Sequence, residues 1–372
     1  MALMQLTPHI RGLTVQTLPD SYTDGLSPAM RMMGAQRMHE AGFDGAGMKV
    51  GILDSGIDDM HPDFKGCVVN RRDYIKDGLR PYEFHAHGTH VAGIVGARGQ
   101  LRGMAPACEI IDYRVLGKDG SGTWQNVALA VMQALTDGCD AINLSLGGPE
   151  DVPALHDAIR AFVNVAPVLV AAGNEGAQTI SYPAYYPEVI AIGAGVLWPD
   201  GKWYRAYFST TNPEVDAMAP GYEVLSCAPG GGYLYMSGTS QGAPHATGLM
   251  ALYLQRGKAR LGRRMSETAA WEGFKCGTVD VDALGIDAAS GAGFATIYPS
   301  FREPMTVQVT EGSDTALVDG QAVPLVPGYP QAVAETRNGF FSLPMAFMAR
   351  LWRGDKAWNE QTRTGTFTIP RE

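Results

Sequence analysis

The sequence predicts an α/β protein: a parallel sheet flanked by helices, followed by a small α+β module. Three observations predict it. Between about residues 45 and 250, short apolar runs recur without polar alternation, as strands covered on both faces require. Segments with helical spacing lie between them, and strand–helix alternation is the pattern of a parallel α/β sheet. After about residue 300 the texture changes to short strand-like runs separated by turn residues.

The elements follow in chain order. "KVGIL" (49–53) is a buried strand ended by Asp54, and "FHAHGTHVAGIVG" opens an apolar helix at His87. "EIIDYRVL" (109–116) is the next strand. In "TWQNVALAVMQALTDG", Trp124, Val127, Ala128, Val131 and Leu135 keep helical spacing, and Gly138 stops the helix. "DAINLSL" (140–146), "PVLVAAG" (167–173) and "EVIAIGA" (188–194) read as strands, with "DVPALHDAIRAFVNV" as a helix among them. "SGTSQGAPHATG" (237–248) is a glycine-rich turn feeding a helix that continues through "LMALYLQRG". Beyond residue 300, "VQVTEGSDTALVDGQAVPLV" reads as short strands joined by a Val-Asp-Gly-Gln turn. Leu343 to Trp352 reads as one amphipathic helix and "TRTGTFTI" as a last strand. The ligand site of such a sheet lies at the carboxyl ends of its strands.

Composition narrows the function. With 45% hydrophobic and 18% charged residues, the 372-residue chain is an ordinary globular sequence long enough for a large core. A net charge of −9 without any basic block argues against nucleic acid as a partner. No run of 18 apolar residues occurs, so no segment reads as a membrane span. "MALMQLTPHIRG" lacks the basic start and long apolar stretch of a secretory signal. Cys67, Cys108, Cys139, Cys227 and Cys276 are odd in number, scattered and without metal-ligand spacing, so they read as free thiols. Together these features favour a cytoplasmic protein, with secretion as the alternative.

Three polar residues stand where the fold directs attention. Alone, Asp54 is a strand-end turn or cap residue, His87 a capping histidine, and Asn174 in "VLVAAGNEG" a turn residue. Zinc at His87 and His90 would need a third ligand and an intervening glutamate, and neither is visible. Ser240 is a poor nucleophile without a base. The order Asp, His, Ser is one in which serine triads occur, that of subtilisin itself. "DSGID…HPDF", "HGTHVAG", "SLGG", "AAGNEG" and "GTSQGAPHATG" follow in sequence, and from about residue 26 to 297 the chain resembles the subtilisin-like serine proteases, the subtilases.

The resemblance implies a subtilisin-like sheet and peptide-bond hydrolysis through an acyl-enzyme. It implies Ser240 as nucleophile, His87 as general base, Asp54 as the carboxylate that orients the imidazole and Asn174 as oxyanion donor, with His90 structural. Ser145, Leu146 and Gly147 match the strand that pairs with extended substrate. Together with Ala171, Ala172 and Gly173 they would wall the main specificity pocket, with Ser181 at its floor and Glu175 at its rim. The partners implied are peptide or protein substrates, with a medium to large apolar P1 residue, or a basic one admitted by Glu175. Two rivals to a general protease are a dedicated leader-peptide maturation protease and a catalytically silent peptide-binding subtilase. The intact triad argues against the second.

The sequence also departs from the family. Gln241 and Gly242 stand where Met and Ala are commoner, which suggests a looser helix start. No cofactor is needed for the chemistry. Asp63 matches an acidic ligand of the family's calcium site, but "GARGQLRGMAP" is about three residues short for the completing loop, and Tyr22 stands where a Gln ligand is expected. Asp63 is thus either a remnant calcium ligand or a turn residue. The domains implied are an N-terminal extension (1–20), a catalytic domain (21–300) and an accessory domain (303–372), with "YPSFREP" (298–304) as the boundary. "QLTPHI" is similar to the short Pro-containing leader of intracellular subtilisins, so the extension is either inhibitory or an inert arm. The last 70 residues resemble the small stalk domain related to the amino-terminal domain of copper amine oxidases, without a copper ligand cluster. Protein contacts or oligomerisation are its expected role.

Overall fold

A computed structural model describes residues 3–5, 9–15, 17–198, 201–275, 277–279, 281 and 286–297, and strand segments between 305 and 369. It divides into two compact units, Met1–Tyr298 and Pro299–Glu372.

In the first unit, β1 (Leu3–Gln5) and β2 (His9–Val15) precede two short helices, α1 (Pro28–Met32) and α2 (Ala35–Glu40). Then come β3 (Lys49–Asp54), β4 (Val68–Asp73), α3 (Ala86–Gly96), β5 (Glu109–Arg114), β6 (Ser121–Thr123), α4 (Trp124–Thr136), β7 (Ala141–Leu144), α5 (Pro153–Val163) and β8 (Val168–Ala171). β9 (Ile190–Leu197), β10 (Trp203–Arg205), β11 (Val215–Pro220), β12 (Val224–Cys227) and β13 (Tyr233–Ser237) lead into the long helix α6 (Thr239–Leu261), followed by α7 (Glu267–Lys275), β14 (Thr278–Val279) and β15 (Phe294–Ala295).

The main sheet runs β14-β15-β11-β9-β8-β7-β3-β5-β4, with β10 on β9. Every pairing from β15 to β4 is parallel. The predicted α/β class is therefore observed, and its reason is visible in burial: β7 and β8 are buried at every residue, so their side chains are apolar except for Asn143, which is hydrogen-bonded. One apolar cluster packs α3 and α6 against one face of the sheet, and a second packs α4 and α5 against the other. Smallness lets α6 approach: a Cβ on Gly242 would sit 2.7 Å from the Gly193 carbonyl. The helix start is thus tightly seated, not looser, and Gly242 is what permits it.

In the second unit, β16 (Met305–Thr310), β17 (Thr315–Val318), β18 (Gln321–Pro324), β19 (Glu335–Arg337), β20 (Phe340–Ser342), β21 (Asp355–Asn359) and β22 (Thr364–Ile369) form an antiparallel sheet in the order β18-β17-β16-β22-β21 and a β19–β20 hairpin. β17 pairs antiparallel with β18, Val318 opposite Gln321, and the two residues between them, part of the expected Val-Asp-Gly-Gln turn, lie outside the described residues. The helix expected from Leu343 to Trp352 lies outside the described residues.

Candidate active site

Asp54 and His87 come from different elements and meet at the carboxyl edge of the sheet, and Ser240 stands at the start of a third element, α6. Asp54 ends β3, where its backbone carbonyl accepts from Val115 and Leu116 N–H. Its carboxylate is fully buried, and Oδ1 accepts the N–H of Ser55 at 2.7 Å. His87 lies in the first turn of α3. Its Nδ1 is 2.9 Å from Asp54 Oδ1 and 3.0 Å from Oδ2. Ser55 joins the two segments: its hydroxyl donates to the His85 carbonyl and accepts the N–H of Gly88. The glycine of "HGTH" is required there, because a Cβ on Gly88 would meet the Gly56 carbonyl at 2.4 Å. With Nδ1–H given to Asp54, Nε2 carries a lone pair; it is buried and has no hydrogen-bond partner.

Ser240 is the second residue of α6, which Gly238 enters in an extended conformation with φ 162°. The Ser240 hydroxyl donates to the carbonyl of Ser145 at 3.2 Å and makes no hydrogen bond to His87. The Ser145 side chain is fully buried. It accepts from Asn143 Nδ2 and donates to the Ser240 carbonyl, pinning the start of α6 to β7. Asn174 follows β8. Its Oδ1 accepts the Thr239 N–H at 2.8 Å and the Thr239 hydroxyl at 3.1 Å, which leaves Nδ2 as the donor end of the amide.

Beside Ser240 lies a cavity of about 550 Å³. Ser145, Leu146, Gly147, Ala171, Gly173 and Ser181 line it, together with Asn174 and Ser240. Ala172 does not. It is buried, and its N–H bonds the Ile192 carbonyl, so the pleat turns it into the sheet. The Ser181 hydroxyl would be 2.6 Å from a Cβ on Gly147, so the two face each other across a narrow part of the cavity. Sequence reasoning missed Gly148, Pro149, Thr179 and Ile180 in the lining. Gly148 and Tyr182 exchange two backbone hydrogen bonds that close the far wall, a pairing no local signal reveals. Glu175 also lines the cavity, and its Oε2 accepts the Thr210 hydroxyl at 2.7 Å.

His90 lies apart from this chemistry. Its Nε2 reaches the carbonyls of Val224 (3.0 Å) and Leu234 (2.9 Å), fastening α3 to β12 and β13. Burial depresses its pKa from 6.5 to about 3. The unfolded chain therefore binds the extra proton between about pH 3 and 6.5, and this contribution to stability is lost as pH falls through that window. Buried Asp112 and half-buried Asp216, raised by desolvation to about 6 and about 7, act in the opposite sense, so the difference between two variants is the informative quantity. His90→Gln is expected to be less stable than the parent at pH 8 by about 1–3 kcal/mol. The gap should narrow toward pH 5, because the substituted chain has no proton to gain at residue 90. Urea midpoints of both proteins at pH 5 and 8 check it; a constant gap would remove the assigned cause.

Asp63 does not fit a calcium ligand set. Its Oδ1 accepts the Gln100 N–H at 2.8 Å, and Oδ2 accepts the Leu101 N–H and the Tyr233 hydroxyl at 2.9 Å each. A Cβ on Gly99 would lie 2.0 Å from Oδ1, so the loop closes directly on the carboxylate. His61, Asp63 and Cys227 bring one donor atom each within 4.8 Å of one another. Both ring nitrogens of His61 are already engaged, by the Gly232 carbonyl and the Asp63 N–H. Hard oxygen donors of the number calcium takes are not assembled here. Asp63 instead staples the loop after α3.

The four cysteines among the described residues are free and buried, and burial raises their pKa values. No described helix is long and apolar enough to cross a membrane.

Comparison with known proteins agrees with the geometry. The Subtilase family (Peptidase_S8) matches residues 45–292. An "Intracellular serine protease" of Paenibacillus polymyxa is 39% identical over 236 residues, 60% of this chain and 71% of that protein. The "Major intracellular serine protease" of Bacillus subtilis (strain 168) is 34% identical over 280 residues, 72% of this chain and 86% of that protein. "Subtilisin E" of the same strain is 33% identical over 279 residues, 72% of each chain. A family match over most of the chain, spanning Asp54, His87 and Ser240, makes this chain a member of the subtilase family.

Proposed function

We propose that this subtilase is a serine endopeptidase in which Ser240 attacks the scissile carbonyl, His87 takes and returns the proton, Asp54 orients the imidazole, and Asn174 stabilises the oxyanion. The observation that carries the reading is the His87 ring. One nitrogen is held by a buried carboxylate and the other is buried with nothing bound to it. That is a base whose tautomer is fixed and whose lone pair is available. For the first step the Ser240 hydroxyl turns from the Ser145 carbonyl to Nε2. The proton moves to Nε2 as Oγ bonds to carbon, and the imidazolium is stabilised by Asp54. The developing oxyanion takes the Ser240 N–H, near the positive end of α6, and Asn174 Nδ2. His87 then protonates the leaving amine, and water repeats the sequence to release the acyl group. Labelling with a fluorophosphonate and mapping the adduct tests this: the adduct is expected on Ser240, and labelling elsewhere would overturn it.

A regulatory reading of the N-terminal extension is supported by backbone pairing. β1 lies antiparallel on β6, with Met4 opposite Gly122. β6 runs into Trp124, whose ring abuts Gly148 of the cavity. β2 lies antiparallel on β13, which leads through Gly238 to Ser240. An extended peptide substrate would need the free edge of β6 that β1 occupies. Deleting residues 1–15 is expected to raise kcat/KM on a small peptide roughly tenfold or more, since a strand that fills the site most of the time lowers apparent affinity in proportion. Equal kcat/KM with and without the segment would make it an inert arm. Two relatives bear the word intracellular in their names, which supports a cytoplasmic setting.

A further inference from the structure

Arg114 is the largest fully buried side chain among the described residues, and its charge is not part of the chemistry above. It stands at the end of β5, directly opposite Asp54 in the parallel β3–β5 register. Its Nε donates to the Ser55 carbonyl at 3.3 Å. Nη1 donates to Asp73 Oδ2 at 3.2 Å and Asp77 Oδ1 at 2.7 Å, and Nη2 to Asp77 Oδ2 at 2.6 Å. The guanidinium lies 4.0 Å from the centroid of the Phe84 ring. Phe84 immediately precedes the segment that enters α3 and carries His87. Gly56, at φ 94°, is where the side chain passes: a Cβ there would meet Phe84 at 2.5 Å and Arg114 Cδ at 2.9 Å. One planar cation therefore touches the turn after Asp54, the segment before His87 and the 73–77 loop. Only an arginine combines a bidentate fork for Asp77 with a stacking face for Phe84.

A buried charge of this kind is weak evidence for stability, because its desolvation offsets much of what its partners return. Its placement is better explained by geometry. We infer that Arg114 is a positioning residue that fixes the separation of Asp54 and His87, with Asp77 and Asp73 holding its fork from the loop. The inference rests on the reading of Asp54 and His87 as orienting carboxylate and base. Asp77 is held charged by the guanidinium, its pKa lowered to about 2, so the fork persists across the neutral range. The cavity that takes substrate is lined by other segments, so the effect belongs in kcat and not in KM.

The test measures kcat and KM on a small peptide for the full chain and for Arg114→Met, Arg114→Lys and Asp77→Asn. Each is normalised to the sites a fluorophosphonate titrates and assayed well below its melting temperature. Arg114→Met should lower kcat roughly 10- to 100-fold, the scale of a small misplacement of catalytic groups, and leave KM within about twofold, as for an interaction felt only in the transition state. Arg114→Lys should recover part of the loss. Asp77→Asn should lose less than Arg114→Met, since Asp73 still holds Nη1. The NMR signal of the His87 Nδ1 proton should move in Arg114→Met and return toward its parent position in Arg114→Lys, which a purely structural role would not require. Parental kcat per titrated site in Arg114→Met, or a loss carried by KM, overturns the inference. If Arg114→Met gives no titratable sites, Asp77→Asn decides, and parental kcat there overturns it. A parallel His87→Ala separates the two levels: if that variant is inactive, an unaffected Arg114 series sinks this inference alone, and if it is active, the assignment of the base falls and takes the inference with it.

Discussion

Ser240→Ala and His87→Ala are each expected to lower kcat by about 10⁶-fold, the scale measured for the corresponding losses in subtilisin itself, and the double variant should lose little more. The reason is that the two side chains supply one step. Without the base the hydroxyl keeps its proton, and without the hydroxyl the base has nothing to activate. Asp54→Ala should cost less, because the carboxylate acts only through the ring, holding Nδ1 at 2.9 Å and stabilising the imidazolium. The residual rate comes from whatever binds and polarises the substrate. His90→Ala is the control. Its ring bonds two carbonyls on neighbouring strands and not the cleft, so it should lower the melting temperature and leave kcat per titrated site near the parent value. A folded His90→Ala without activity beside an active His87→Ala would reverse the assignment of the base. Multiplicative losses in the Ser240/His87 double variant would mean that the two do not act together.

Much of this site was legible because each group sits in a local pattern of its own chain segment. Asp54 ends an apolar strand, His87 opens an apolar helix, and Ser240 stands in the first turn of α6 within a run of small residues; each feature is local and leaves a local pattern. What the sequence left open depends on partners far away. Asp63 could be weighed only as a calcium ligand or a turn residue, because Gln100, Leu101 and Tyr233, which saturate it, are 37 or more positions distant. Ala172 was assigned to the pocket wall with its neighbours, but strand alternation divides the run, and Ala171 and Gly173 face the cavity while Ala172 does not. Gly242 looked like a loosening because the carbonyl it must clear, that of Gly193, lies on another strand. Arg114 reads in the sequence as one charge at a strand end, and nothing local announces two acidic partners 37 and 41 residues earlier. The α/β class, by contrast, needed only the count and order of apolar runs, since parallel strands buried on both faces leave few alternatives.

Asn174→Ala should lower kcat by roughly 10²- to 10³-fold with little change in KM, the loss measured for this kind of donor in subtilisin itself. The side chain is neutral and its donor is needed most when the carbonyl oxygen becomes an anion, so the effect falls on the transition state and not on substrate capture. The structure adds a reason to expect a large effect. Its Oδ1 is held by both the N–H and the hydroxyl of Thr239, and the Thr239 hydroxyl in turn accepts the N–H of Gly173. The amide is thus oriented before substrate arrives, and no reorganisation is needed as charge develops. Thr239→Val removes one of the two donors to Oδ1 and keeps the backbone one, so it should cost far less than Asn174→Ala, about tenfold or below, again in kcat. Asn174→Asp keeps the size and hydrogen-bonding shape but replaces the donor with negative charge beside the oxyanion, and it should be no better than alanine. The measurement is kcat and KM for the three variants per fluorophosphonate-titrated site. A kcat for Asn174→Ala within about twofold of the parent would mean that the helix N-terminus alone carries the oxyanion. An aspartate variant more active than the alanine one would mean that Asn174 contributes shape and not a hydrogen bond.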